Sequence, residues 1–421
     1  MGAGPEAGAI ITQEAIKMKK IGVLGAGTWG MALARMLCNA GYDVVVWSAL
    51  EKEIDDLSAT RKHPKLPEMQ IPDALRFTKS IEEACTGKDI LMFAVPSVYV
   101  RSTAAAARPW IPDGQIIVDV AKGIEPDTLM TMSEVIRSEL EKEKTDGGSA
   151  SAADVPFSTG ENPFAGKKAS EEQAACAGQN ASKGPKGVRI VALSGPTHAE
   201  EVAMDLPTTI VSACEDAEAA ELVQDVFMGT REQPTCMRVY TNTDIKGVEL
   251  CGALKNVIAL ASGISTGLGY GDNARAALIT RGLAEITRLG VKMGCKEQTF
   301  YGLAGMGDLI VTATSRHSRN NKAGYLIGRG CTPAEAADQV GMVVEGINAL
   351  PAAVRLAVQY GVEMPIVAFM DGVIRCGADP TEAVGHLMGR RKKAENPSDE
   401  GEPYFARLLS EAIRSGAFPM R

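Results

Sequence analysis

The stretch KIGVLGAGTWGMALARMLCNAGYDVVVW, Lys20 to Trp47, decides the fold class. A short β-branched run leads into Gly25-Ala26-Gly27-Thr28-Trp29-Gly30. An apolar helical period follows to Ala40, and a second β-branched run spans Asp43 to Trp47. A G-x-G-x-x-G set is informative in this context, directly between a strand and a helix. Gly25 permits the tight turn, Gly27 lets the backbone approach a pyrophosphate, and Gly30 lets the helix pack closely on the sheet. The unpaired N–H groups and positive dipole end of that helix favour an anion. The second strand should end beside an adenosine ribose, where an acid selects NAD and an arginine accommodates NADP. Here it ends Trp47-Ser48-Ala49, with neither. Glu51 and Glu53 lie just beyond and no basic cluster is visible, so NAD is the expected cofactor, with NADP still admissible.

Outward from this unit, short strands continue to alternate with helices: DILMFAV, QIIVDVA, a helix from about Asp127 to Lys144, then RIVALSG, TTIVSAC, a helix through DAEAAELVQDVFMG and a strand near Met237 to Tyr240. Such alternation implies a parallel sheet covered by helices. The segment 145–187, rich in Gly, Ala, Ser and Lys and without hydrophobic period, reads as a disordered surface insertion. Beyond Asp244 strand signals almost vanish, and helices are expected at 244–268, 273–293, 344–361 and 365–377. The expected fold class is α/β plus all-α: an extension (1–18), a Rossmann-type doubly wound domain (19–242), a mainly helical substrate domain (243–390), and a linker with a C-terminal amphipathic helix (391–421).

A chain of 421 residues, 45% hydrophobic and 23% charged, is long enough for two cores. The net charge of −8 disfavours nonspecific binding to nucleic acid or an anionic membrane. Nine scattered cysteines without a C-x-x-C read as reduced thiols, and four dispersed histidines offer no metal-ligand cluster. No metal is expected. The first residues lack a basic run followed by an apolar one, and no membrane span is expected, so the cytoplasm is the expected location.

Lys255 is the odd residue of the second half. It stands in the apolar helical run Val248 to Ala261, where its only polar company is Glu249, Cys251 and Asn256. Its neighbours one helical turn away are Cys251, Gly252, Ile258 and Ala259, which leave room for another molecule at the ammonium. On the helix alone, a lysine that runs its stem along the core and snorkels to water is the favoured reading. Lys122 follows the strand QIIVDVA, at the carboxyl edge where open α/β sheets bind ligands.

These residues resemble the NAD(P)-dependent glycerol-3-phosphate dehydrogenase family from about Lys19 to Gly389, outside the insertion. The ordered blocks that carry the resemblance are GAGTWG, FAVPS (Phe93 to Ser97), AKGIE (Ala121 to Glu125), LSGPTHAEEVA (Leu193 to Ala203), CGALKNVIALASG (Cys251 to Gly263), GDNARAALITRGLAE (Gly271 to Glu285), GLAGMGDLIVTATSRHSRN (Gly302 to Asn320) and VVEG (Val343 to Gly346). The resemblance implies interconversion of sn-glycerol 3-phosphate and dihydroxyacetone phosphate, linking glycolysis to glycerol and glycerophospholipid metabolism. It implies Lys255 as the catalytic acid/base, with Lys122 and Asp308 beside it. Gly195, Thr197, Asn256, Ser318, Arg319 and Asn320 fall at substrate positions. Thr28, Trp29, Lys122, Ala199, Arg319, Val343 and Glu345 join the glycines at cofactor positions. It also implies a homodimer.

A lysine near its ordinary pKa of about 10.4 is a poor base at neutral pH. Burial and a second cation both lower it, which gives the paired lysines a chemical rationale. Simpler readings exist for the neighbours: Asp308 as a turn or helix-capping aspartate, and Ser318 to Asn320 as a cap followed by a solvated arginine. Asn273 and Arg275 read as helix-start residues. His198 stands where many relatives carry an aromatic residue and His317 precedes the Ser-Arg-Asn motif; both read most plainly as loop histidines. A 3-hydroxy-acid dehydrogenase usually separates its lysine and asparagine by a helical turn, whereas Lys255 and Asn256 are adjacent. A sensor that had lost catalysis would have lost some of Lys122, Lys255, Asp308 and Arg319, and all four are present.

Overall fold

The structure, a computed structural model, describes residues 19–142 and 184–391. The proposed C-terminal helix and most of the expected insertion lie outside these residues. Residues 184–187, expected within the insertion, instead belong to the folded body: Gly114 N donates to Lys186 O (2.8 Å) and Lys186 N to Asp113 Oδ1 (2.7 Å).

The opening unit forms as its sequence implies. Strand β1 (Lys20–Leu24) and strand β2 (Asp43–Trp47) flank helix α1 (Thr28–Asn39), and the strand interiors are buried. The sheet also contains β3 (Arg76–Thr78), β4 (Ile90–Phe93), β5 (Ile116–Asp119), β6 (Arg189–Ser194), β7 (Thr208–Ala213) and β8 (Met237–Asn242), in the order β3-β2-β1-β4-β5-β6-β7-β8. Among the described residues all neighbours are parallel except β6 and β7, which run antiparallel. The order reverses direction at β1, so the carboxyl ends of β1, β4 and β5 border one crevice, the place where such sheets take ligands.

The helix expected from Asp127 to Lys144 is shorter. After helices α2 (Glu51–Thr60), α3 (Ile81–Cys85) and α4 (Val100–Ala107), helix α5 occupies only Met132–Leu140. Leu129 takes a positive φ of 61°, a backbone state closed to helix interiors, and Ile124 bridges Thr131. Thr131 and Glu134 then form a capping box that starts the helix. Helices α6 (Ala199–Ala203) and α7 (Ala217–Met228) complete the sheet layer.

From Asp244 onward the described chain is helical, as expected. Helix α8 (Ile245–Gly267) is buried almost all round, which accounts for its lack of an amphipathic stripe. Among the described residues it alone is long and apolar enough to cross a membrane, but its apolar window is wholly covered by protein. Around it pack α9 (Asp272–Lys292), α10 (Glu297–Tyr301), a π-helical turn (Leu303–Gly307), α11 (Asp308–Thr314), α12 (Arg319–Gly328), α13 (Pro333–Val340), α14 (Glu345–Gln359), α15 (Pro365–Arg375) and α16 (Pro380–Met388). Asp244 secures two of these starts: Oδ1 accepts from Gly247 N at the head of α8, and Oδ2 from Lys296 N and Thr299 Oγ1 beside α10. Asn273 and Arg275 lie in the first turn of α9, where Arg275 pairs with Asp272, as their helix-start reading required.

One crossing in the helical half is unusually close. Helices α8 and α12 cross glycine to glycine, Gly263 and Gly267 against Gly324 and Gly328. A Cβ at Gly263 would lie 2.1 Å from Asn321 O, and one at Gly324 would lie 2.1 Å from Leu260 O. Only hydrogen permits this backbone approach, which delivers the start of α12 to the Lys255 segment.

Gly324→Val should therefore lower stability by about 3 kcal/mol or more, because the obstructing atoms are backbone and cannot move aside. Gly385→Ala, at a helical glycine with open space around it, should instead raise stability by about 0.5–1 kcal/mol. Urea unfolding of both variants checks the sign of each.

Candidate active site

Three carboxyl-edge loops and two helices converge on a cleft of about 260 Å³ bordered by Gly27, Lys122, His198, Lys255, Arg319 and Glu345, among others. The glycine loop forms one end. Gly25 has φ +123°, and an added Cβ would lie 2.6 Å from Ala94 O; at Gly30 it would lie 2.3 Å from Gly25 O. A Cβ at Gly27 would meet nothing within 4 Å, so that stretch of backbone faces open space. Helix α1 begins there with no side chain capping its free N–H groups. This is an unobstructed anion cradle of the kind a pyrophosphate fills. Thr28, Trp29 and Ala199 also border the cleft. At the end of β2, Ser48 Oγ donates to Glu53 Oε2 at 2.6 Å, so the acid just beyond the strand turns back to its terminus.

The other end is built on Asp308. Its side chain has no solvent exposure, and its two oxygens accept from two lysines: Oδ1 from Lys255 Nζ at 2.5 Å and Oδ2 from Lys122 Nζ at 2.7 Å. Asp308 is the first residue of α11, and its carboxylate caps no helix. Lys255 Nζ also donates to Thr312 Oγ1 (2.6 Å), and Lys122 Nζ to Gly195 O (3.2 Å). Lys255 therefore does not snorkel. Its residue is only 5% exposed and its ammonium ends on protein. Burial is the largest influence on its pKa and Lys122 adds to it, while Asp308 opposes both; the result is pushed down from 10.5 to about 7.

Thr312 escaped the sequence reading. It stands four residues after Asp308, hence on the same helix face, and that spacing was the available signal. Its hydroxyl donates to Asp308 O (2.7 Å) while accepting from the lysine, so it holds the lysine and its own helix turn together.

The expected anion end has a double character. Ser318 caps α12, accepting from Asn321 N, and Arg319 is exposed with Nη1 3.4 Å from Val343 O, so the cap-and-solvated-arginine reading describes the local bonding. Both residues nonetheless border the cleft. Asn320 and Asn256 are bonded to each other (Nδ2 to Oδ1, 2.9 Å), and Asn320 Oδ1 also accepts from Gly346 N. Thr197 Oγ1 donates to Gly195 O, which shapes the loop next to Lys122. Glu345 accepts from Ser97 N (3.3 Å) and Ser97 Oγ (2.7 Å), joining the start of α14 to the loop after β4. Burial pushes the Glu345 carboxyl up.

Fold and cleft together define the class: a two-part dinucleotide-dependent oxidoreductase with a lysine-carboxylate-lysine centre. The sequence matches the N-terminus of NAD-dependent glycerol-3-phosphate dehydrogenase over residues 20–152 and 175–220, and its C-terminus over 244–385. It is 61% identical over 378 residues to glycerol-3-phosphate dehydrogenase [NAD(P)+] 2 of Lactobacillus delbrueckii subsp. bulgaricus, covering 90% of this chain and 99% of that one. The glycerol-3-phosphate dehydrogenase [NAD(P)+] of Agathobacter rectalis is 46% identical over 384 residues, covering 91% of this chain and 99% of that one. The crystal structure of glycerol-3-phosphate dehydrogenase from Coxiella burnetii superposes with a TM-score of 0.74 at 31% identity, covering 88% of this chain and 99% of that one. The chain belongs to the NAD-dependent glycerol-3-phosphate dehydrogenase family, an oxidoreductase family using NAD with NADP admissible.

Asp308→Asn should destabilise the protein by about 3–5 kcal/mol, because two half-neutralised ammonium groups lose their shared counter-charge. Denaturant unfolding followed by circular dichroism measures it.

Proposed function

We propose that Lys255 is the general acid/base in the interconversion of sn-glycerol 3-phosphate and dihydroxyacetone phosphate. The observation that carries this reading is the buried ammonium of Lys255, shared with Asp308 and Thr312 and bordering the same cleft as the glycine loop. When bound, the nicotinamide supplies the hydride acceptor or donor for C2. In oxidation Lys255 Nζ takes the proton of the C2 hydroxyl as the C2–H bond gives up its hydride and the carbonyl forms. In reduction the same ammonium returns a proton to the carbonyl oxygen.

Lys122 orients the substrate and, through its charge, favours the unprotonated amine. Asp308 holds both lysines and keeps the pair near a single net positive charge. The phosphate is received by Arg319, Ser318, Asn320 and the first turn of α12, with Asn256, Gly195 and Thr197 completing the substrate wall. Gly25, Gly27, Thr28, Trp29 and Gly30 hold the cofactor phosphates, and Ala199, Arg319, Val343 and Glu345 its nicotinamide side.

The division into domains 19–242 and 243–390 follows the switch from sheet to helices. A homodimer is the assembly that the family resemblance implies. Cytoplasmic location is supported by the free state of all eight described cysteines.

Lys255→Ala should reduce kcat about 100- to 10,000-fold while leaving NADH affinity within about twofold. Steady-state kinetics and fluorescence titration of NADH separate the two; retention of most activity would move the base elsewhere. With the Lys255 pKa near 7, oxidation of glycerol 3-phosphate should rise with pH through about 7, because it needs the free amine. Reduction of dihydroxyacetone phosphate should fall through the same range, because it needs the ammonium. Rate profiles in both directions from pH 5.5 to 9 test this opposition.

A further inference from the structure

We propose that His198 is a substrate-binding residue whose Nε2–H donates to an oxygen of the substrate phosphate. The proposal rests on the dehydrogenase reading above and adds to it a ligand that the motif blocks leave unassigned. His198 immediately precedes α6 and borders the cleft together with Lys122, Lys255 and Arg319. Its Nε2 is shielded from water and has no hydrogen-bond partner within the described chain. Buried polar atoms are nearly always paired, so an unpaired ring nitrogen on a residue that borders the cleft calls for a partner that the described chain does not supply.

The orientation follows from the opposite wall. The ring of His198 faces that of His317 with centroids 5.8 Å apart and planes tilted by 55°. His317 directly precedes Ser318, the cap of α12. His198 thus reaches from the sheet half toward the anion end of the site, next to Arg319.

Its chemistry also suits that position. Burial is the main influence holding its imidazole pKa below the usual range, followed by the charge of Lys255; Glu200 and Glu201 pull the other way and Lys122 adds to the lowering. A neutral imidazole keeps one N–H donor. It supplies a hydrogen bond to a phosphate without adding another positive charge beside Lys122, Lys255 and Arg319. A phenyl ring would fill the same volume and donate nothing.

The test compares His198→Phe, which keeps the ring, with His198→Gln, whose amide can place a donor near Nε2. For His198→Phe, KM for dihydroxyacetone phosphate should rise about tenfold or more, as expected for one lost bond to a charged acceptor. Its kcat and NADH affinity should stay within about twofold. The inhibition constant of inorganic phosphate, competing with dihydroxyacetone phosphate, should rise in parallel. His198→Gln should restore both constants to within about threefold of the wild-type values. Unchanged constants in both variants, or a raised KM with unchanged phosphate inhibition, overturns the assignment. An equal loss in both variants, accompanied by weakened NADH binding, also overturns it, since packing would then explain the effect. Absence of wild-type turnover with either cofactor would fell the dehydrogenase reading itself and this proposal with it. Wild-type turnover beside an unaffected His198→Phe fells only the proposal.

Discussion

A carboxylate with no contact to water, held between two ammonium groups, is the constraint on which the rest of this protein depends. Asp308 accepts from the buried Lys255 and the half-buried Lys122. Without the carboxylate the two cations would repel, and alone the buried carboxylate would take up a proton. Together they form a centre that tolerates burial and still leaves Lys255 close to neutrality. Because Lys122 comes from the sheet and Lys255 and Asp308 from the helical half, the same bonds also hold the two halves in register.

Other buried carboxylates fasten elements together, some at this junction and one within the helical half. Glu249, six residues before Lys255 on α8, accepts from Ser133 N and Ser133 Oγ at the start of α5, and burial raises its pKa to about 7. Glu285 does the equivalent within the helical half, accepting from Ile366 N at the head of α15, and is also pushed up to about 7 by burial. On the cofactor side Glu345 meets Ser97. In each case an acid from one element satisfies the free N–H or hydroxyl of another, so these elements are fastened by helix-start chemistry as well as by apolar packing.

The legible parts of the chain were those governed by short-range rules. Residues Lys20 to Trp47 carry strand, turn and helix signals in immediate succession, and both strands ended where their β-branched runs end. Helix α8 was legible as an apolar run closed by Gly267 to Gly269. The helix near Asp127 was overextended because its helical composition hid Leu129, whose positive φ is imposed by the turn that lets Ile124 meet Thr131. The antiparallel β6 and β7 pair could not be read from composition, since strand direction depends on how a connection turns. Within the site, Lys255 alone permitted a snorkelling lysine, and family resemblance rather than spacing argued against it. Thr312 was reachable only after Asp308 had been given a role.

By itself the sequence determined the class of architecture, the phosphate-binding loop and the family, because glycine placement, hydrophobic period and motif order are properties of neighbouring residues. Only the tertiary structure decided that Asp308 serves two lysines rather than a helix end, that Ser318 caps while Asn320 and Asn256 bind each other, and that His198 faces His317 with a nitrogen unpaired. The physical reason is distance along the chain. Lys122 and Lys255 lie 186 and 53 positions before Asp308 in the chain, and the charge balance that sets their behaviour exists only once burial has removed the water between them.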